Sequence, residues 1–157
     1  MQYRDLNGHD CRLSLTERSP DDRTGHVIVL ARYRGDWLLT EHPLRGLEFP
    51  GGKREAGESV EAAAVREVYE ETGAVMGRLE WLGEYAVFGG DPFVKAAFYG
   101  EADRLEEVPA SETNGRVFLE TLALDDRFSF LMKDDGMKAL IKAAEAKLKK
   151  PGAGPGF

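Results

Sequence analysis

Residues 52–74 read GKREAGESVEAAAVREVYEETGA, and the rest of the chain is best understood from them outward. The segment opens on glycine and charge, turns at Ser59 to alanine, valine and glutamate, and meets no helix breaker until Gly73. That pattern predicts a loop followed by a helix. Ser59 is placed to cap the N-terminus, Glu61 suits the positive end of the helix dipole, and Gly73 supplies a left-handed residue to end it. Glu67, Glu70 and Glu71 stand at i, i+3 and i+4, so one helix face carries three carboxylates within a turn. Like charges at that spacing cost about 0.2 to 0.5 kcal/mol per pair. From Ser59 to Thr72 four glutamates meet one arginine, Arg66, which stands in the less favourable order to Glu70. A bound divalent cation would relieve the repulsion. Carboxylates without imidazole or thiolate select a hard ion, which favours Mg²⁺, with Mn²⁺ as a substitute. A solvated acidic face is the commoner origin of such a charge run, so the flanking residues have to decide.

Upstream, Phe49-Pro50-Gly51-Gly52-Lys53 places two glycines where a bare carbonyl or amide can approach a metal or phosphate. Lys53 and Arg54 add positive charge beside the carboxylates, as a metal-phosphate site requires. A purely structural turn would use the same residues. Further out, His26 to Tyr33 and Trp37 to His42 read as paired strands about Arg34-Gly35-Asp36. Glu48 and Phe49 form a short strand running into the glycine turn. Trp81 to Phe88 and Phe93 to Tyr99 read as a second pair about Gly89-Gly90-Asp91, and Arg116 to Leu122 as a further strand. Met137, Leu140, Ile141, Ala144 and Leu148 recur at helical spacing, with Asp134 and Asp135 before them and Lys147, Lys149 and Lys150 behind. The expectation is an α/β protein with one domain over residues 1–150. The tail 151–157, glycine- and proline-rich, is expected to be mobile.

The 157 residues are 42% hydrophobic, enough for one packed core, and carry a formal net charge of −7. That charge argues against an extended grip on nucleic acid, which needs clustered lysine and arginine. A small anionic ligand must then be held by local cations or by metal. Cys11 is the lone cysteine, and with His9, His26 and His42 it forms no zinc spacing. Residues 1–15 hold no apolar leader segment, and no stretch approaches the roughly 18 apolar residues of a membrane helix, so a cytoplasmic protein is expected.

Residues 52–74 resemble the Nudix box: Gly, five residues, Glu, seven residues, Arg-Glu, aliphatic, any, Glu-Glu, any, Gly, aliphatic. Gly52, Glu58, Arg66, Glu67, Glu70, Glu71 and Gly73 occupy its seven fixed positions, and Val68 its first aliphatic one. Ala74 is smaller than the usual last residue, which touches packing and leaves the chemistry alone. Seven such matches arise by chance at roughly one start position in 10⁸. The resemblance extends through Trp37-Leu-Leu-Thr-Glu-His42, Phe49–Lys53 and Phe128–Asp134 to the YtkD-type nucleoside triphosphatases of bacilli.

Resemblance to Nudix hydrolases implies an α/β/α sandwich around a mixed sheet. It implies that Glu67, Glu70 and Glu71 ligate magnesium together with the Gly51 carbonyl, while Glu58 and Arg66 hold loop and helix in register. The implied reaction is hydrolysis of a nucleoside triphosphate, with oxidised purine nucleotides such as 8-oxo-dGTP in range, to monophosphate and pyrophosphate. Glu67 is the first choice for the proton acceptor. Glu112, in the loop Ala110-Ser-Glu-Thr-Asn-Gly115, is the downstream alternative, although that stretch is acidic throughout. Phe49, Phe88, Phe128 and Phe130 are aromatic candidates for the base, and Lys133 and Asp134 either read a purine edge or cap the last helix. Two other readings compete: removal of pyrophosphate from a 5′-triphosphorylated RNA end, and a nucleotide-sensing module that has lost catalysis. The intact box argues against the second.

Overall fold

A computed structural model describes residues 1–109 and 113–148. Glu112, Lys149, Lys150 and the 151–157 tail lie outside the described residues. The strands in chain order are β1 Gln2–Arg4, β2 Asp10–Ser14, β3 His26–Tyr33, β4 Asp36–His42, β5 Gly46–Glu48, β6 Gly51–Lys53, β7 Ala74–Val87, β8 Phe93–Leu105 and β9 Arg116–Leu119. Helix α1 spans Val60–Thr72 and helix α2 Asp135–Leu148, with single 3-10 turns at Asp21–Arg23 and Phe130–Met132.

The strands join one mixed sheet in the order β1-β2-β7-β8-β3-β4-β5, with β6 paired to β3 and β9 to β4. All pairings are antiparallel except β3 with β8, which run parallel from His26↔Lys95 to Arg32↔Glu101. The two helices cover opposite faces, giving the α/β/α sandwich. β3 shows why: every residue from Val27 to Arg32 is buried, because both faces of the strand are covered. Val27, Val29 and Ala31 pack toward Val60, Ala63, Ala64 and Val68 of α1. Ile28 and Leu30 point the other way, toward Met137, Leu140, Ile141 and Ala144 of α2.

Local chemistry sets the ends of α1. The Ser59 hydroxyl accepts a hydrogen bond from the Ala62 N–H at 3.1 Å, and Gly73 takes φ 74° while its N–H donates to the Tyr69 carbonyl. Arg34 and Gly35 both have positive φ between paired Tyr33 and Asp36, so the β3-β4 hairpin turns on two residues and Asp36 belongs to its second strand.

Three expectations are corrected by the backbone, and two strands come in addition. The second strand pair is much longer than Trp81–Phe88 and Phe93–Tyr99, since β7 begins directly after the Gly73 cap. Residues 51–53, expected as a glycine turn, are a strand paired to β3, and the strand before them is Gly46–Glu48, which leaves Phe49 outside it. The N-terminal residues form two strands not foreseen, and β9 ends at Leu119, with Leu122 packed against the core outside any strand. Among the described residues no helix is long and apolar enough to cross a membrane.

Candidate active site

α1 lies against β3 and β6, and this contact brings its acidic face to the Gly51-Gly52 edge. A Cβ at Gly52 would run into the Glu67 carboxylate, so any side chain there would have to displace it. The Gly51 N–H donates to Glu71 Oε1 at 2.9 Å. Arg66 is the hub of the region. Its guanidinium grips both oxygens of Glu58 at 2.8 and 2.9 Å, reaches Glu67 at 3.0 Å and Glu70 at 3.3 Å, and donates to the Lys53 carbonyl at 3.0 Å. One side chain thereby ties the loop, β6 and α1 together. These hydrogen bonds hold the Glu58 carboxyl down to about 2. Arg54 donates from Nε and Nη1 to the backbone carbonyls of Thr24, Glu55 and Glu58, which stitches the loop together, and it does not line the cleft.

The carboxylates differ in environment. Burial raises Glu67 above the usual carboxylate range, with Arg66 opposing and Glu70 and Glu58 adding to the rise. Glu71 is pushed up to about 7, first by burial and then by the charges of Glu67, Glu48 and Glu70, while the Gly51 N–H pulls the other way. The acidic residues do not stand closed around one point: among the described residues no three metal-ligating side chains form a ready cage. Glu67 and Glu70 turn to Arg66, and Glu71 turns to backbone. The donor set nevertheless fits a hard divalent ion. Glu71 is a desolvated carboxylate beside three others, and a cation at this edge would favour its ionised form.

From this edge a cleft of about 790 Å³ runs under α2 toward the N-terminal strands. Gly51, Gly52, Glu67, Glu70 and Glu71 form one wall. Tyr85, Phe93 and Lys95 of β7 and β8 contribute to its floor, and Tyr3, Asp5, Asn7 and His9 close the far side. Phe49 and Phe130 line the cleft, the first buried and the second exposed. Phe128 is core, and Phe88 is an exposed ring beneath Arg12; neither lines the cleft. Asp134 borders the cleft and also caps α2, accepting from the Met137 N–H at 2.7 Å. Lys133, Lys53, Glu58 and Arg66 flank the cleft without lining it.

Sequence reasoning missed Tyr85, Phe93, Lys95 and the N-terminal wall. A signal existed for one of them: Phe93, Lys95, Ala97 and Tyr99 alternate on one face of β8, and a lysine on an otherwise apolar face is out of place.

The model described as NUDIX domain matches residues 20–128, more than half of the chain. The chain therefore belongs to the NUDIX domain family, and it is a Nudix hydrolase. It is 40% identical, over 96% of its length and 97% of the relative's, to YtkD of Bacillus subtilis (strain 168), provisionally named an 8-oxo-dGTP diphosphatase. Its fold matches a crystal structure of a mutant of the Bacillus subtilis pyrophosphohydrolase BsRppH with TM-score 0.86 and 37% identity, covering 94% of this chain and 97% of that one. A NUDIX hydrolase from Nitrosomonas europaea shares the fold at TM-score 0.61 and 20% identity, over 78% of this chain and 89% of its own.

Proposed function

We propose that the chain is a Mg²⁺-dependent pyrophosphohydrolase that converts nucleoside triphosphates, purines above all, to nucleoside monophosphate and pyrophosphate. The observation that carries this reading is Glu71: a desolvated carboxylate facing Glu67, Glu70 and Glu48 at the Gly51-Gly52 edge, where a cation completes the charge balance. The names of YtkD and BsRppH point to the same chemistry in those relatives.

Glu67, Glu70 and Glu71, with the Gly51 carbonyl, would hold the ion, and Mn²⁺ would substitute for Mg²⁺. A divalent ion there supplies neutralisation of phosphate oxygens and acidification of a water. Arg66 fixes the carboxylates of Glu67 and Glu70 from the side, and Glu58 fixes Arg66. Glu67 accepts the proton as the water oxygen bonds to phosphorus. The bridging P–O bond breaks and pyrophosphate departs. Glu112 remains the downstream alternative for the proton acceptor. Lys53, Arg54, Lys133 and Asp134 remain substrate candidates from sequence; the backbone bonds of Arg54 and the capping bond of Asp134 give each a structural task as well. A cytoplasmic setting suits a nucleotide substrate.

The test is a panel of nucleoside triphosphates, 8-oxo-dGTP and a 5′-triphosphorylated RNA with Mg²⁺, scoring pyrophosphate separately from orthophosphate. Pyrophosphate and monophosphate are expected as first products, with EDTA stopping the reaction. Orthophosphate with diphosphate as first products, or activity that survives EDTA, overturns the assignment.

A further inference from the structure

Three basic residues lie side by side across the sheet beside the carboxylate edge. Lys53 on β6 is opposite His26 on β3, and His26 is in register with Lys95 on β8. Directly opposed residues of neighbouring strands point to the same face, and Lys95 lines the cleft. Their closeness is felt by the imidazole. His26 is pushed down to about 4, first by burial and then by the ammonium groups of Lys95 and Lys53.

Among the described residues neither lysine is paired with a carboxylate. Lys95 Nζ instead sits 5.6 Å from the centre of the Tyr85 ring and 5.8 Å from that of Phe93. Arg45, the other lysine or arginine lining the cleft, is neutralised by Glu48 through hydrogen bonds of 2.7 and 3.0 Å. In a chain of net charge −7, two uncompensated lysines in one cross-strand row have the sign of an anion site. Aromatic faces return only part of the hydration a half-buried ammonium gives up, so Lys95 gains most from an anionic oxygen.

We propose that Lys53, His26 and Lys95 form a phosphate-binding row, in which the two ammonium groups take oxygens of the substrate's phosphate chain on the side away from Glu67, Glu70 and Glu71. The row rests on the phosphoanhydride reading above and adds His26 and Lys95, which lie outside the 52–74 segment. A single carbonyl of a nucleobase is the competing acceptor for Lys95. Two cations in register, one of them adjacent in sequence to Gly52, suit a chain of phosphates better than one neutral oxygen.

The probe is inorganic tripolyphosphate, which has no base, titrated with Mg²⁺ by calorimetry against the full chain and its K95M, K95R and K53M variants. Loss of one charge-assisted contact is expected to weaken binding about tenfold in K95M and in K53M, with K95R within about threefold of the parent. Binding to the parent should fall more steeply with added salt than binding to K95M. Guanosine and adenosine, titrated separately, should bind the parent and K95M alike. Undiminished tripolyphosphate binding by a folded K95M overturns the row. Loss of nucleoside binding with tripolyphosphate unchanged overturns it too and makes Lys95 a base contact. If K95M does not fold, K95Q, closer in shape and still polar, carries the same comparison. Because binding is measured without reference to products, failure of the hydrolytic reading shows in the nucleotide panel and leaves this measurement separate.

Discussion

Glu67, Glu70 and Glu71 reach the cleft from one 13-residue helix, whereas Tyr3 reaches it from β1 and Tyr85, Phe93 and Lys95 from the antiparallel β7-β8 pair, far from Tyr3 in sequence. The carboxylate wall is built by local periodicity and held by the Arg66 guanidinium at Glu67 and Glu70 and by the Gly51 N–H at Glu71. The aromatic and basic floor is built by strand register and held by the whole sheet. Chemistry that needs several like charges within a few ångströms is most simply placed on one rigid helix face. A binding surface needs area and can be gathered from anywhere the sheet brings together.

That contrast is most easily broken at its two extremes. Glu67→Gln is expected to cut turnover at least about a hundredfold, since on the proposed mechanism it removes the proton acceptor and a metal-ligating charge. Phe93→Leu, on the floor, is expected to raise KM a fewfold with turnover within about threefold of the parent. Steady-state kinetics of the two variants side by side checks both. If Phe93→Leu lost as much turnover as Glu67→Gln, the floor would be part of the chemistry and the division between walls would fail.

A smaller effect separates two adjacent glycines. A Cβ on Gly51 would strike the Val27 backbone carbonyl and approach Ile28 Cα to 3.0 Å, so Gly51→Ala must shift one strand against another. A Cβ on Gly52 meets only the flexible end of Glu67. Gly51→Ala is expected to lose about 2 kcal/mol or more of stability, in line with overpacked cores. Gly52→Ala should melt within a few degrees of the parent while turnover drops about tenfold to a hundredfold, because Glu67 is displaced. Denaturant melts together with kinetics test the pair, and a Gly52→Ala protein of full activity would mean that the Glu67 carboxylate does not work from where it rests.

The same contrast explains what the sequence disclosed. α1 was legible to the residue, because capping by Ser59, termination at Gly73 and the i, i+3, i+4 glutamates are all local rules. β7 was legible only in its second half. Its pairing with β8 slips between Val75 and Met76, between Met76 and Leu79, and again between Trp81 and Gly83, so the alternation of apolar residues is broken through its first half. β2 buries only Cys11 and Leu13 between polar neighbours, too short a pattern to separate from loop. The floor of the cleft depends on which strand neighbours which, and the parallel pairing of His26 with Lys95 is a long-range fact that no local window contains. Asp134 was readable as a cap or as a base contact; its capping bond accounts for one oxygen and its place on the cleft leaves the other role open to test.

The smallest expected effect is on stability and concerns Glu71→Gln. The Gly51 N–H can still donate to the amide oxygen of glutamine, so the substitution removes charge and keeps the hydrogen bond. The folded protein holds the Glu71 proton up to about pH 7, while the unfolded chain releases it near 4.5. Between those values the native state binds more protons than the unfolded state, so this group's contribution to stability falls as pH rises through the window. Above pH 7 the ionised carboxylate is a net cost, which the neutral amide of the variant avoids. In EDTA at pH 8 the variant should therefore be more stable than the parent by about 1 to 2 kcal/mol, and the difference should vanish below about pH 4.5. Saturating Mg²⁺ should narrow or reverse the order, because the parent's native state gains more from a ligand it binds more tightly. Melts of both proteins at about pH 4.5 and pH 8, each with EDTA and with Mg²⁺, test every part of this. A variant less stable than the parent in EDTA at the higher pH would reveal a partner that Glu71 needs in its charged form. An undiminished magnesium shift would show that the ion is held without Glu71, leaving Glu67 and Glu70 to release Arg66 and bind it by themselves.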